Sequence, residues 1–166
     1  TGGSLVVAAG TFNAAKVTVN SGGTLSLTGG LMKASGITTN GIFNVSGGVL
    51  AASGTLSVNS GGIVNQSSGM IHMNANTAAN PNDNLQINAG GTYNQSGGTI
   101  FLKDLLPGGG TFNQTGAAAL VKVDRQWQMG AGSIFNSSAG TVQFTGSGNQ
   151  GNFADGTRQF SNLIVN

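Results

Sequence analysis

Runs of three or four residues in which apolar and polar side chains alternate, each closed by a glycine-rich turn, recur along the chain. Aligned on the run that follows such a turn, they read Ser4-Leu5-Val6-Val7, Thr24-Leu25-Ser26-Leu27, Ile42-Phe43-Asn44-Val45 and Ile63-Val64-Asn65-Gln66. The series continues with Thr92-Tyr93-Asn94-Gln95, Thr111-Phe112-Asn113-Gln114 and Ile134-Phe135-Asn136-Ser137. Alternation with period two is the mark of β-strands. The second residues of these runs lie 20, 18, 21, 29, 19 and 23 positions apart. A repeat of about 20 residues signals a solenoid, and the longer intervals signal coils that carry insertions.

Two further runs fit within a coil, as in Val49-Leu50-Ala51-Ala52 followed by Thr55-Leu56-Ser57-Val58. Three strands per turn predict an all-β, single-stranded, right-handed parallel β-helix, or β-solenoid, of about seven three-sided coils. It spans residues 1–166 as one domain, a segment or subunit of a longer rod. Successive side chains of a strand point to opposite faces. Leu5, Leu25, Phe43, Val64, Tyr93, Phe112 and Phe135 therefore stack inward as one core column. A second column is expected on the third face from Val17/Val19, Ile37/Thr39, Leu56/Val58, Leu85/Ile87, Trp127/Met129 and Leu163/Val165.

The pairs Gly22-Gly23, Gly47-Gly48, Gly61-Gly62, Gly90-Gly91 and Gly97-Gly98 fall where the chain must turn, and glycine reaches positive φ without steric cost. Proline cannot donate to a ladder, so Pro81 and Pro107 are placed in excursions. Polar loops are expected over 74–83 and 145–160, and Leu105-Leu106-Pro107 interrupts the fifth coil where a third strand belongs.

Composition narrows the function. Thirty residues are glycine and only 6% are charged, yet 38% are hydrophobic and regularly spaced, which supplies the core that a disordered linker lacks. There is no cysteine, hence no disulfide or thiolate metal site. No apolar run is long enough to cross a membrane as a helix. Nucleic-acid binding needs clustered cations, and only Lys122 and Arg125 are near neighbours, with Asp124 between them.

Candidate chemistry is sparse. Glycan-cleaving sites need paired titratable groups, and the chain offers four aspartates, of which Asp104 and Asp124 are 20 positions apart and the one pair placed to stack. His72 lies between Ile71 and Met73, whose side chains point inward, so its own points outward. None of the glycine stretches has the Lys-Ser/Thr or following helix of a phosphate loop. No Gly-Gly-x-Gly-x-Asp calcium repeat occurs. The expectation is a protein with no catalytic residue, metal or cofactor.

What does recur is amide. Asn44, Asn65, Asn94, Asn113 and Asn136 hold the third position of the first strand, with Gln66, Gln95 and Gln114 beside three of them. Stacked identical amides can bond to the copies above and below, so these residues predict a structural ladder. The alternative is a flat Thr/Ile-x-Asn face, from Thr24, Ile42, Ile63, Thr92, Thr111 and Ile134 with the asparagines, that binds glycan or another repetitive surface. In a carbohydrate- or surface-binding module the loops and the aromatics Trp127 and Phe101 would also take part.

The segments Gly91-Thr92-Tyr93-Asn94-Gln95-Ser96-Gly97 and Gly110-Thr111-Phe112-Asn113-Gln114-Thr115-Gly116 resemble the repeat of large bacterial β-helical surface proteins, such as autotransporter passengers and filamentous-haemagglutinin-type adhesins. The tail, Gly140-Thr141-Val142-Gln143-Phe144-Thr145-Gly146 through Phe160-Ser161-Asn162-Leu163-Ile164-Val165-Asn166, is similar to a repeat of giant secreted surface proteins of environmental bacteria. The resemblance implies an extracellular or cell-surface location and an adhesive or fibrous role, and it transfers no catalytic residue. Neither end shows a polar cap, which solenoids use to cover the last coil. Leu5, Val7, Leu163 and Val165 are accordingly expected to meet further β-helical coils end to end, from the same chain or from another copy. Glycans and host or matrix surfaces are the other partners considered.

Overall fold

The computed structural model describes residues 2–73, 84–146, 151–152 and 157–165, and among these there is no helix. The strands stack as a parallel β-solenoid of about seven turns. Parallel pairing is forced by the repeat: each coil returns the chain to the same corner in the same direction, so equivalent strands lie side by side.

The first face is an eight-stranded sheet that starts at Ser4–Val7 and ends at Thr157–Gln159. Its register holds from coil to coil: Thr24, Ile42, Ile63, Thr92, Thr111 and Ile134 are successive partners, as are Leu25, Phe43, Val64, Tyr93, Phe112 and Phe135. The second and third faces merge into one thirteen-stranded sheet, because Thr99–Gly108 runs through the corner between them. Leu120–Gln128 does the same one coil later.

Inward positions are closed to solvent along the middle of the rod. Phe43, Val64, Tyr93, Phe112 and Phe135 are fully buried on the first face, and Ile37, Leu56, Val58, Leu85, Ile87 and Trp127 on the third. Rings that share a column stack: Tyr93 lies 4.7 Å from Phe112 at 18°, and Phe112 lies 5.3 Å from Phe135. Trp127 meets Phe135 edge-on at 4.7 Å. Leu5, on the end rung, is 43% exposed.

The corner between the third and first faces repeats one device. Asn20, Asn59 and Asn88 each accept, through the main-chain carbonyl, a bond from the N–H three residues on. The residue before that donor is Gly22, Gly61 or Gly90, held at φ 76, 75 and 78. Only glycine takes that conformation without strain.

Three expectations change. Pro107 is not in an excursion, and the fifth coil does not lack its third strand. Leu105 and Pro107 pair with Leu85 and Ile87, and both are buried. A proline forfeits a ladder donor but keeps its carbonyl, and that of Pro107 receives Gly130 N at 2.8 Å and Ser133 Oγ at 2.6 Å. Leu163–Val165 belongs to the second face, not the third, since it pairs with Val142, Gln143 and Phe144. The segment 145–160 is not one loop: Gly151–Asn152 pairs with Trp127 and Gln128, and Thr157–Gln159 pairs with Ile134, Phe135 and Asn136. The expected loop at 74–83 lies outside the described residues.

Candidate functional site

The first face carries two different amide columns on its two sides. Asparagines at the third strand position point outward, and each donates Nδ2 to Oδ1 of the coil before it. Asn65 bonds Asn44 at 3.0 Å, Asn94 bonds Asn65 at 3.0 Å, Asn113 bonds Asn94 at 3.0 Å and Asn136 bonds Asn113 at 3.2 Å. The glutamines one residue later point inward and are buried. Gln114 Nε2 reaches Gln95 Oε1 at 3.2 Å, Gln95 Nε2 reaches Gln66 Oε1 at 3.4 Å, and Ser137 Oγ closes the series on Gln114 Oε1 at 2.9 Å.

The same Nε2 groups also bond main-chain carbonyls of the next corner. Gln66 reaches Thr99 O at 3.1 Å, Gln95 reaches Leu120 O at 3.2 Å and Gln114 reaches Thr141 O at 3.1 Å. An amide has two donors and one acceptor oxygen, and here those capacities tie three successive coils together. Tyr93, also buried, donates its hydroxyl to Gln66 Oε1 at 2.8 Å. Burial pushes the ionisation of that hydroxyl far above the ordinary tyrosine range.

A third amide column escaped the sequence reading. Asn59 Nδ2 donates to Asn40 Oδ1 at 2.9 Å, and Asn88 Nδ2 donates to Asn59 Oδ1 at 2.8 Å, at the corner before the first face. Its signal was an asparagine directly after the last inward residue of the third strand, as in Val19-Asn20, Thr39-Asn40, Val58-Asn59 and Ile87-Asn88.

The two aspartates considered as a pair stand apart. A register irregularity between Leu102 and Asp104 turns Asp104 inward and opposite Gln126, whereas Asp124 is on the surface. Asp104 is bound through both oxygens by Arg125, with Nε at 2.8 Å from Oδ1 and Nη2 on Oδ2. The carboxylate is thus held by an ion pair inside the corner. Among the described residues no three His, Cys, Asp or Glu side chains come together.

The second face has a polar and aromatic outer column in register: Asn13, Lys33, Ala51, His72, Phe101, Lys122 and Gln143. His72 packs edge-on against Phe101 at 5.4 Å, and Lys122 Nζ stands 5.3 Å above the same ring. Trp127, the other aromatic considered for recognition, is fully buried and belongs to the core. Of the residues considered for end contacts, Leu5, Leu163 and Val165 are 43%, 45% and 68% exposed, while Val7 is buried.

The fold and these columns define a parallel β-solenoid with an outward asparagine ladder and a buried glutamine ladder. Comparison with known protein families, with curated proteins and with solved structures finds no match to this chain.

Proposed function

We propose that this chain is a structural, non-catalytic segment of an extracellular bacterial surface stalk or fibre. The observation that carries the reading is the continuity of its ladders: outward asparagines, inward glutamines and stacked rings all repeat in register along the axis. Bending or shearing such a rod must break main-chain bonds, amide bonds and ring contacts at the same level. Hydrogen-bonded side-chain networks that are fully paired rigidify a structure in this way. The resemblance of the Gly-Thr-Phe/Tyr-Asn-Gln repeat to bacterial surface adhesins supports export to the cell exterior.

End-to-end stacking belongs to the same reading. The edge strand Ser4–Val7 pairs on one side only, and Leu5 and Val6 are exposed there, so a further coil can continue both ladder and core. That coil is either more of the same polypeptide or a second copy, and a contact of this head-to-tail kind extends as a filament unless it closes. Electron microscopy of the purified chain tests the proposal. Rods one solenoid wide, in lengths that grow with concentration, are the expected image. A monodisperse monomer at high concentration with both end coils ordered and uncovered overturns the stacking, and release of new reducing ends from any polysaccharide overturns the non-catalytic role.

A further inference from the structure

The corner that carries the third amide column is shorter in one coil than in its neighbours. Val19-Asn20-Ser21-Gly22-Gly23-Thr24, Val58-Asn59-Ser60-Gly61-Gly62-Ile63 and Ile87-Asn88-Ala89-Gly90-Gly91-Thr92 each place four residues between the last inward residue of the third face and the first face, whereas Thr39-Asn40-Gly41-Ile42 places two. The short corner joins Asn40 directly to Gly41, and Asn40 is the sole asparagine of the chain that glycine follows.

Packing requires that glycine. A Cβ at Gly41 would lie 2.3 Å from the carbonyl oxygen of Asn20 and 2.5 Å from that of Gly23, both main-chain atoms of the preceding corner. With no side chain to obstruct it, a glycine nitrogen is the main-chain nitrogen best able to attack the carboxamide of an asparagine before it. In that reaction the bond from the Gly41 nitrogen to Asn40 Cγ forms, the Cγ–Nδ2 bond breaks, and ammonia leaves with the proton that the attacking nitrogen gives up. Water from the solvent then opens the five-membered imide at either carbonyl. Opening at Cγ yields aspartate, and opening at the main-chain carbonyl yields isoaspartate, whose chain runs through Cγ and is one atom longer.

The closed corner opposes the attack. Gly41 is buried, and its N–H donates to Val19 O at 3.1 Å, where the Asn40 N–H also bonds at 2.7 Å. The carboxamide is engaged as well, since Asn40 Oδ1 accepts Asn59 Nδ2 at 2.9 Å. Aspartate keeps an oxygen for Asn59. Isoaspartate does not fit, because the Ile42 N–H is fixed on Gly23 O at 3.0 Å and Gly41 O receives the Ile63 N–H at 2.8 Å, so the ladders to both neighbouring coils leave no slack for an added main-chain atom.

We infer that Asn40-Gly41 is a self-modification site, held off while the second coil is closed and released when it opens, and that its isoaspartyl product keeps the corner from closing again. Opening of one corner is thereby made irreversible, and the lifetime of the rod is tied to it.

The test incubates the intact chain at mildly alkaline pH, folded and in denaturant, and follows the peptide that contains Asn40 by mass spectrometry, which reads the exchange of ammonia for water and separates the isoaspartyl from the aspartyl form. In denaturant Asn40 should convert before any other asparagine, and in the folded chain at least about tenfold more slowly, since only opened molecules react. Ile37→Ala removes a buried side chain from the strand that leads into the corner, and should raise the folded rate severalfold while the circular dichroism spectrum stays that of the wild type. After removal of denaturant, unmodified and aspartyl chains should regain protease resistance and isoaspartyl chains should not. Asn40→Asp, made directly, should fold with a melt close to that of the wild type. Equal rates in the folded and unfolded chain, a folded rate unmoved by Ile37→Ala, or earlier conversion of another asparagine in denaturant overturns the site. Isoaspartyl chains that refold with the rest, or an Asn40→Asp chain that fails to fold, overturns the role given to the added main-chain atom.

Discussion

The buried hydroxyl of Tyr93 donates to Oε1 of Gln66 at 2.8 Å, joining the aromatic column of the core to the glutamine column beside it. The same Gln66 sends Nε2 to Thr99 O at 3.1 Å. Tyr93→Phe removes one bond and leaves Gln66 its other partners, at a cost of about 1 kcal/mol. Gln66→Leu strands the buried Tyr93 hydroxyl in an apolar setting and removes the side-chain bond to Thr99 O, at about 2–3 kcal/mol. Denaturant midpoints of both variants and of the double variant should show coupling, with the double variant less damaged than the two single losses added. Additive losses would mean that the two columns are energetically separate.

Tyr93 also sets an alkaline limit. Its ionisation is raised in the folded state by burial, so the neutral form is the one the fold holds. The stability this lends is complete below the ordinary tyrosine value of about 10 and falls as pH rises above it, by about 1.4 kcal/mol per pH unit. It is the only tyrosine in the chain. Tyrosinate absorbance should therefore appear together with unfolding, and Tyr93→Phe should flatten stability above pH 10 relative to the wild type.

Arg125 and Asp104 are unequal partners, since the arginine side chain is 49% exposed and the aspartate 2%. Removing the arginine leaves a carboxylate without its partner in the corner, so Arg125→Ala should cost about 2–4 kcal/mol. Asp104→Leu combined with Arg125→Ala should recover most of that, because no buried charge remains. Thermal melts of the three chains decide the matter. A double variant as unstable as Arg125→Ala would assign the loss to packing.

Two glycines predict opposite severities. A Cβ at Gly116 would lie 1.6 Å from the carbonyl oxygen of Ser96 in the neighbouring coil, whereas at Gly10 it would meet nothing within 4 Å. Gly10 sits at φ 68, so alanine there carries only the left-handed strain of about 1–2 kcal/mol. Gly116→Ala should reduce stability by more than twice that, or block folding, because two main chains must separate. Denaturation curves and soluble yield measure the difference.

Trp127 is the only tryptophan, fully buried against Phe135, Phe144 and Phe160, and so reports on the last coils alone. A solenoid couples each coil mainly to its neighbours. Leu50→Ala, in the third coil, opens a cavity worth about 2–5 kcal/mol. Its effect on the circular dichroism transition should exceed its effect on the Trp127 fluorescence transition. Coincident shifts in both would show that the rod melts as one unit.

The sequence by itself determined the solenoid, its period and the identity of the inward column from Leu25 to Phe135. Those follow from local alternation and from glycine spacing, which depend on no distant contact. It also located the outward asparagines, since position within a strand sets direction. Only the tertiary structure decided what each residue meets. Pro107 looked like a breaker until Gly130 and Ser133 were found on its carbonyl, and Leu163–Val165 changed face because Gly151–Asn152 takes the third-face ladder before it. Asp104 turned from Asp124 to Arg125 through a register irregularity of a single residue. The outer column of Lys33, His72, Phe101 and Lys122 was invisible for the same reason. Its members are up to 89 residues apart in the chain and become neighbours only when insertions of unequal length have been absorbed and the coils are stacked.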